Sequence, residues 1–458
     1  MLKKFIGTKQ FYFKLLTLTL PIMVQSGITN FVNMLDNIMI GAVGTPQMTG
    51  VAICNQLIFV FNLCVFGTVS GAGIFGAQYF GKQDYKGVHY TFRFKLIFCM
   101  IVSLLGITLF AFKGENLLLL YMKGDAGLTD AFLTLSFAKD YLKIMLIGLI
   151  PYAIVQCYSS TLRESGNPNL PMIAGIVAVF VNLSLNYILI FGKFGAPTLG
   201  VRGAAIATVI SRFAELFVVV FIAHVRVEKY RFLKGAYKSL YIPSRLFGQF
   251  FIKGLPLVLN ETLWALSMAT INQCYSSRGL DAVAANNISQ TFWNVFAIVY
   301  LSVGSSVAII VGQLLGANKL KEAREESTRL IFTSFCLATL VSVGYFFLAK
   351  VIPNVYNTET EIKTLATTLM QITAIAMPFD ALALASYYTI RSGGKMLITF
   401  MFDSGFSWCV NVVVAFVLSR YTALSFITIF LVVNLTSILK GAIGILFVKN
   451  GFWVRNLT

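Results

Sequence analysis

The chain has 458 residues, of which 57% are hydrophobic and only 12% charged, and its mean hydropathy is +0.79. Soluble domains carry about 25% charged residues, so this composition excludes an ordinary soluble protein and indicates one embedded in a membrane. The net charge of +18 then favours contact with anionic membrane lipids, and we expect no nucleic-acid partner.

Apolar stretches recur along the chain at about the 20-residue length that crosses a bilayer. They are long and lack the two-residue alternation of barrel strands, so they predict helices. We predict an all-α integral membrane protein with twelve transmembrane helices, six in each half. The clearest stretches are residues 15–35, 96–112, 173–191, 330–348 and 423–439.

The two halves of the chain repeat one pattern, because residues 20–81 align without a gap on residues 255–316. Identical pairs include Pro21 and Pro256, Gln78 and Gln313, and Gly81 and Gly316. Such a repeat in an apolar chain predicts two pseudo-symmetric six-helix bundles around a central cleft, an architecture typical of transporters. The predicted parts are an N-terminal lobe at 1–225, a cytoplasmic linker at 226–253 and a C-terminal lobe at 254–458.

Basic residues predict the orientation in the membrane. About two thirds of the 36 Lys and Arg residues, Lys440 among them, are predicted on one side of the membrane, which places both termini in the cytoplasm. The sequence contains no ATP-binding GxxxxGK[ST] loop, no HExxH motif and no nucleophile elbow. We therefore expect no enzymatic activity and no cofactor, and a transporter of this kind would be driven by an ion gradient.

Asp36 is the first acidic residue inside a predicted span. A carboxylate at the bilayer centre costs about 2.5–3.5 kcal/mol, so it normally faces the protein interior or water and often has a functional role. Pro21 lies earlier in the same span and is expected to bend it. The alternative is that Asp36 lies near the helix end and reaches the outer interface.

Polar residues in the fifth and sixth spans are candidate partners of this carboxylate. Asn182 and Asn186 are four residues apart and share one helix face, and Thr208 adds a hydroxyl group. Together with Asp36 they provide an oxygen set suited to a small cation such as Na⁺. Asp36 could instead carry a proton, and the two asparagines could instead bind neighbouring helices.

Six segments of the chain share the motifs of one transporter family: Leu20-Pro21-Ile22-Met23 followed by residues 35–41, then 77–81, 182–192, 200–208 and 391–394. In these segments the chain resembles the MATE (multidrug and toxic compound extrusion) transporters. The resemblance implies a twelve-helix, two-lobed antiporter that exports organic compounds in exchange for Na⁺ or H⁺. It also implies that Asp36, Asn182, Asn186 and Thr208 form the cation site of the N-terminal lobe, with no other metal.

The second half contains further acids within spans. Asp380 matches the spacing of an acid in one branch of that family, whereas Glu261 does not, because the branch's other acid would fall at Trp264. Glu261 and Asp380 could bind cationic substrate, carry protons or satisfy each other. Trp264 and Trp293 could line the cleft and attract organic cations, or could simply pack.

The sequence-based hypothesis is thus a secondary antiporter of the cytoplasmic (inner) membrane that works by alternating access. Its expected partners are small organic molecules of cationic or amphipathic character, together with the coupling ion and membrane lipids, and we expect a monomer. The alternative is a related flippase or exporter of a lipid-linked or peptide substrate. Inward-facing arginines in the cleft would favour that alternative.

Overall fold

The computed structural model describes residues 5–121, 128–356 and 358–458, and this part of the chain is helical, with no β-strand. The helices are α1 (Lys9–Gly41), α2 (Thr45–Gly81), α3 (Tyr85–Tyr121), α4 (Leu128–Met145), α5 (Leu149–Glu164), α6 (Asn169–Phe191), α7 (Val201–Val225), α8 (Ser244–Ser276), α9 (Leu280–Phe296), α10 (Ile298–Gly316), α11 (Leu320–Leu348), α12 (Thr360–Ser392), α13 (Met396–Phe400), α14 (Val413–Tyr421) and α15 (Phe426–Asn450).

Eleven helical segments of the described residues are long and apolar enough to cross a membrane. Two of these segments are composite: Ala131–Glu164 joins α4 to α5, and Met396–Tyr421 joins α13 to α14 through π-helical turns. The 33-residue helix α8 is also long enough, although its charged residues make it more polar. The prediction of an all-α membrane protein is confirmed, and eleven apolar segments plus α8 agree with the predicted twelve.

The helix boundaries follow the sequence repeat. Helix α1 and helix α8 have the same length of 33 residues, and both ends of α8 lie 235 positions after those of α1. The same shift carries α2 onto the segment Leu280–Gly316, which is divided between α9 and α10. The two halves therefore build equivalent helices from equivalent positions, which explains why the repeat is gapless there.

Contacts divide the chain into two compact units. The first-half unit comprises Val24–Gly76 and Tyr85–Val258, and the second-half unit comprises the chain up to Met23, Ala77–Asp84 and Leu259–Thr458. These units cut the chain inside α1, α2 and α8, unlike the predicted lobes at 1–225 and 254–458, which follow the repeat. The lobe limits stay a prediction about the repeated sequence.

Two of the unit boundaries fall two residues after a repeated proline. Helix α1 contains Pro21 and changes unit after Met23, and helix α8 contains Pro256 and changes unit after Val258. Both helices continue through their proline, which removes one backbone hydrogen bond from each. Bending of α1 at Pro21 stays a prediction.

The first-half unit has an apolar core around α2, α4 and α7, with residues such as Leu57, Phe61 and Ala205 fully or almost fully buried. A buried ion pair accompanies this core: Lys95 Nζ lies 2.6 Å from Glu164 Oε2 and also donates to two hydroxyl groups of α5. Taking such charges out of water is costly, so the geometry of this pair must be well satisfied.

The second-half unit is organised around α12, which packs against α10, α11 and α15. Repeat-related residues meet inside this unit. A Cβ atom on Gly81 would lie 2.0 Å from the carbonyl oxygen of Gln313, and one on Gly316 would lie 1.8 Å from that of Gln78. Each glycine therefore packs against the glutamine of the other helix that is the repeat equivalent of the glutamine three positions before it. This is the arrangement expected for a local pseudo-twofold crossing of α2 and α10.

Candidate functional site

The four residues predicted to form a cation site gather in the first-half unit. Asn186 Nδ2 donates to Asp36 Oδ1 over 2.6 Å, and it also lies 3.1 Å from Asn182 Oδ1. Asn182 Nδ2 in turn lies 3.4 Å from Thr208 Oγ1. Helices α1, α6 and α7 thus bring these side chains into one connected cluster.

The packing of α6 on α7 places the two asparagines in the interior. Asn182 and Asn186 are only 5% and 1% exposed, although both are amides on an otherwise apolar helix. Gly203 lets α7 approach α6 closely, because a Cβ atom there would lie 2.6 Å from the carbonyl oxygen of Leu189. The four-residue spacing then turns both amides toward Asp36, which is half-buried.

Both asparagine amides face the Asp36 carboxylate. With the Asn182 amide turned so that its hydrogen bonds are satisfied, its N–H donates to Asp36 Oδ1 over 3.0 Å, and Asn186 Oδ1 is buried without a hydrogen-bond partner among the described residues. An amide can instead turn its oxygen toward a cation that binds beside the carboxylate, because the group carries both an acceptor and N–H donors. The donor set is therefore chemically suited to a hard cation.

Sequence analysis missed Tyr141 at this site. This buried side chain of α4 is a neighbour of both Thr208 and Asp36. Tyrosine is common in membrane helices, and no spacing relates Tyr141 to the other site residues. Only the packing of α4 beside α7 reveals it.

The cluster has no acidic counterpart in the repeat. The residue 235 positions after Asp36 is Ile271, a buried member of the second-half core. The next residue does retain its polar character, since Asn272 repeats Asn37 and accepts a hydrogen bond from Asn286. The repeat therefore conserves helices and close contacts, while this carboxylate belongs to the first half alone.

The two acids predicted in the second half bind different partners. Tyr387 Oη of α12 lies 3.4 Å from Glu261 Oε1, whereas Asp380 accepts a hydrogen bond from Ser437 of α15. Asp380 and Tyr387 are seven residues apart, or about two turns along one helix face. The structure thus gives Glu261 and Asp380 separate surroundings, and their predicted roles stay predictions.

The two tryptophans proposed as cleft residues are both half-buried. Trp293 packs against the core cluster of the second-half unit that includes Tyr345 and Ala366. Trp264 follows Glu261 by three residues on α8, which is nearly one helical turn, so the two side chains lie on neighbouring faces. A role for Trp264 or Trp293 in substrate binding stays a prediction.

Lys440 does not lie in a loop at the membrane surface, so counting it among the basic residues of the cytoplasmic side was wrong. It is inside α15, ten residues before the helix ends at Asn450, and its Nζ atom lies 2.7 Å from Asp403 Oδ1. The second oxygen of Asp403 accepts a hydrogen bond from Asn260 Nδ2 over 2.9 Å. A basic residue near the end of an apolar run resembles a loop residue until its acidic partner on another helix is known.

Comparison with known proteins relates the whole chain to one family. A family model described as MatE matches residues 21–188 and 256–417, one match in each half. The chain is 23% identical over 448 residues to a probable multidrug resistance protein NorM of Thermotoga maritima, covering 96% of this chain and 93% of that protein. It is 25% identical to the probable multidrug resistance protein YoeA of Bacillus subtilis, covering 83% and 81%.

A solved structure shares the fold. The crystal structure of a Vibrio cholerae MATE transporter in the bent form superposes with a TM-score of 0.85. The two sequences are 17% identical, and the match covers 96% of this chain and 97% of the other.

Proposed function

Because the chain belongs to the MATE family of multi-pass membrane transporters, we propose that it exports organic compounds across the cytoplasmic membrane in exchange for Na⁺ or H⁺. Like the multidrug transporters of that family, it is a transporter and not an enzyme. The relatives named as probable multidrug resistance proteins support a broad range of small organic substrates.

One observation carries the proposal of ion exchange: Asp36 of α1 is bound by buried amides of α6. Asn186 donates to the carboxylate over 2.6 Å, and the Asn182 amide lies 3.0 Å from it and donates to it once turned so that its hydrogen bonds are satisfied. A half-buried carboxylate with amide neighbours and no ion-pair partner among the described residues attracts either a hard cation or a proton. Both ions would act on the same atoms.

The arrangement suggests how ion binding is coupled to movement. A cation or proton at Asp36 competes with Asn186 for the carboxylate oxygens, so it alters the attachment of α1 to α6. Helix α1 also belongs to the second-half unit up to Met23, just after Pro21. A change at Asp36 therefore acts on a helix shared by both units, and the helix is weakest where the proline removes a hydrogen bond.

The experiment is ethidium transport by purified protein in proteoliposomes, with a Na⁺ gradient and a pH gradient imposed separately. We expect one gradient to drive transport, which identifies the coupling ion. Transport that is equally fast with no gradient would contradict exchange and indicate a passive pathway. If neither gradient moves ethidium, the assay is repeated with lipid-linked and peptide substrates, as the flippase alternative requires.

A further inference from the structure

The second-half unit contains an ion pair between two membrane-spanning segments. Lys440 of α15 and Asp403, which lies between α13 and α14, are joined over 2.7 Å. Neither ion is sealed from its surroundings, since the two side chains remain 16% and 19% exposed. Charges inside a membrane are expensive and usually functional, so this pair requires an explanation.

Asp403 is held in position without help from Lys440. Its second carboxylate oxygen accepts from Asn260 Nδ2, and the next residue, Ser404, donates through its hydroxyl to Asn260 Oδ1 over 2.9 Å. The segment Met401–Gly405 is π-helical, a local widening that often marks functional sites in membrane and soluble helices. Helix α8 therefore fixes the carboxylate, while α15 supplies only the cation.

Aromatic rings also lie beside the Lys440 ammonium group, which is near the charge of Asp380 as well. Its Nζ atom lies 5.8 Å from the ring centre of Phe402 and 5.9 Å from that of Phe406. Both rings are at most 9% exposed, so they are fixed by packing. A carboxylate together with aromatic faces is the set of groups that binds an organic ammonium ion.

We propose that Asp403, Phe402 and Phe406 form a binding site for the cationic group of a substrate, and that Lys440 is its built-in competitor. This inference rests on the proposed export of organic compounds and specifies cationic ones. A lysine ammonium is a compact charge on a flexible stem, so it can withdraw along α15 when another cation arrives. The tethered group keeps the acid neutralised while no substrate is present.

This arrangement differs from the cluster at Asp36. Asp36 is surrounded by neutral amides, whereas Asp403 already has a cationic partner with aromatic neighbours. A bare metal ion gains little from two phenyl rings placed beside an oxygen pair, whereas an organic cation can use all three groups. The two acids are therefore suited to different ligands.

The test is equilibrium binding of ethidium to purified protein in detergent, measured by fluorescence anisotropy without any gradient. Replacing Lys440→Met removes the competitor, and we expect the dissociation constant to fall about tenfold, as it would if Lys440 occupies the site nine-tenths of the time. The double variant Lys440→Met/Asp403→Asn should lose this gain. Lys449→Met, at the exposed end of the same helix, is the matched control and should bind as the wild type does.

A second variant keeps the test decisive if Lys440→Met does not fold. Lys440→Arg retains the ion pair, and a guanidinium group can form two parallel hydrogen bonds with the Asp403 carboxylate. It should therefore be displaced less easily than the lysine ammonium, and ethidium should bind more weakly than to the wild type. Unchanged or weaker binding by folded Lys440→Met would overturn the proposal, as would equal binding by Lys440→Arg. These outcomes are independent of gradient-driven transport, whose failure would instead contradict the proposed exchange.

Discussion

The close crossing of α2 and α10 makes a sharp prediction about two glycines. Gly81→Ala and Gly316→Ala would each place a Cβ atom 2.0 Å or less from a backbone carbonyl oxygen of the opposite helix. Ordinary contact begins at 3.4 Å, so backbone on one side must shift by about 1.5 Å in a close-packed interior. Overpacking of this kind costs about 1–3 kcal/mol, and we expect each variant to lose that much free energy of unfolding.

The measurement is reversible unfolding in mixed micelles, followed by the fluorescence of the four tryptophans. Gly344→Ala in α11 is the matched control, because a Cβ atom there meets nothing within 4 Å. That change should be neutral or stabilise the helix by up to about 1 kcal/mol. If Gly81→Ala and Gly316→Ala are tolerated as well as Gly344→Ala, the crossing is not as close as described.

Three further variants, one of them paired with a control, test other contacts. Lys95→Met should cost about 3–5 kcal/mol of unfolding free energy, because it removes one member of a buried ion pair. Lys139→Met is the control in an exposed ion pair and should cost less than about 1 kcal/mol, and equal losses would refute the distinction. Asn182→Ala should raise the concentration of coupling ion that gives half-maximal transport, and an unchanged value would remove Asn182 from the ion site. Trp408→Phe should cost about 0.5–1.5 kcal/mol through the hydrogen bond to a carbonyl of α8, and unfolding like that of the wild type would show that this bond contributes nothing.

The helices and the first polar cluster were largely predictable from the sequence. Hydropathy and length identify the spans, since a bilayer demands apolar helices of nearly fixed length. The four-residue spacing of Asn182 and Asn186 predicts their common face, and the scarcity of acids within spans draws attention to Asp36. These signals are local or depend on residue type, so a single sequence carries them.

Contacts between distant helices were not predictable in the same way. The repeat reveals that Gly81 and Gly316 are equivalent, but not that the helices carrying them touch. Lys440 and Asp403 are 37 positions apart on helices whose mutual rotation depends on a π-helical segment that hydropathy does not reveal. Asn260 likewise becomes informative only once α8 is placed beside that segment. Such pairings are set by packing of the whole unit.

The central claim is that Asp36 couples ion entry to export, and one substitution tests it most directly. Asp36→Asn keeps the size of the side chain and one acceptor oxygen but replaces the other oxygen with an NH2 group and removes the charge. With whichever gradient drives ethidium transport in the wild type, we expect this variant to insert and fold normally yet lose gradient-driven transport. The matched control is Asp140→Asn, an acid of α4 whose partner is the exposed Arg202, and it should transport normally. Normal gradient-driven transport by Asp36→Asn would contradict the account.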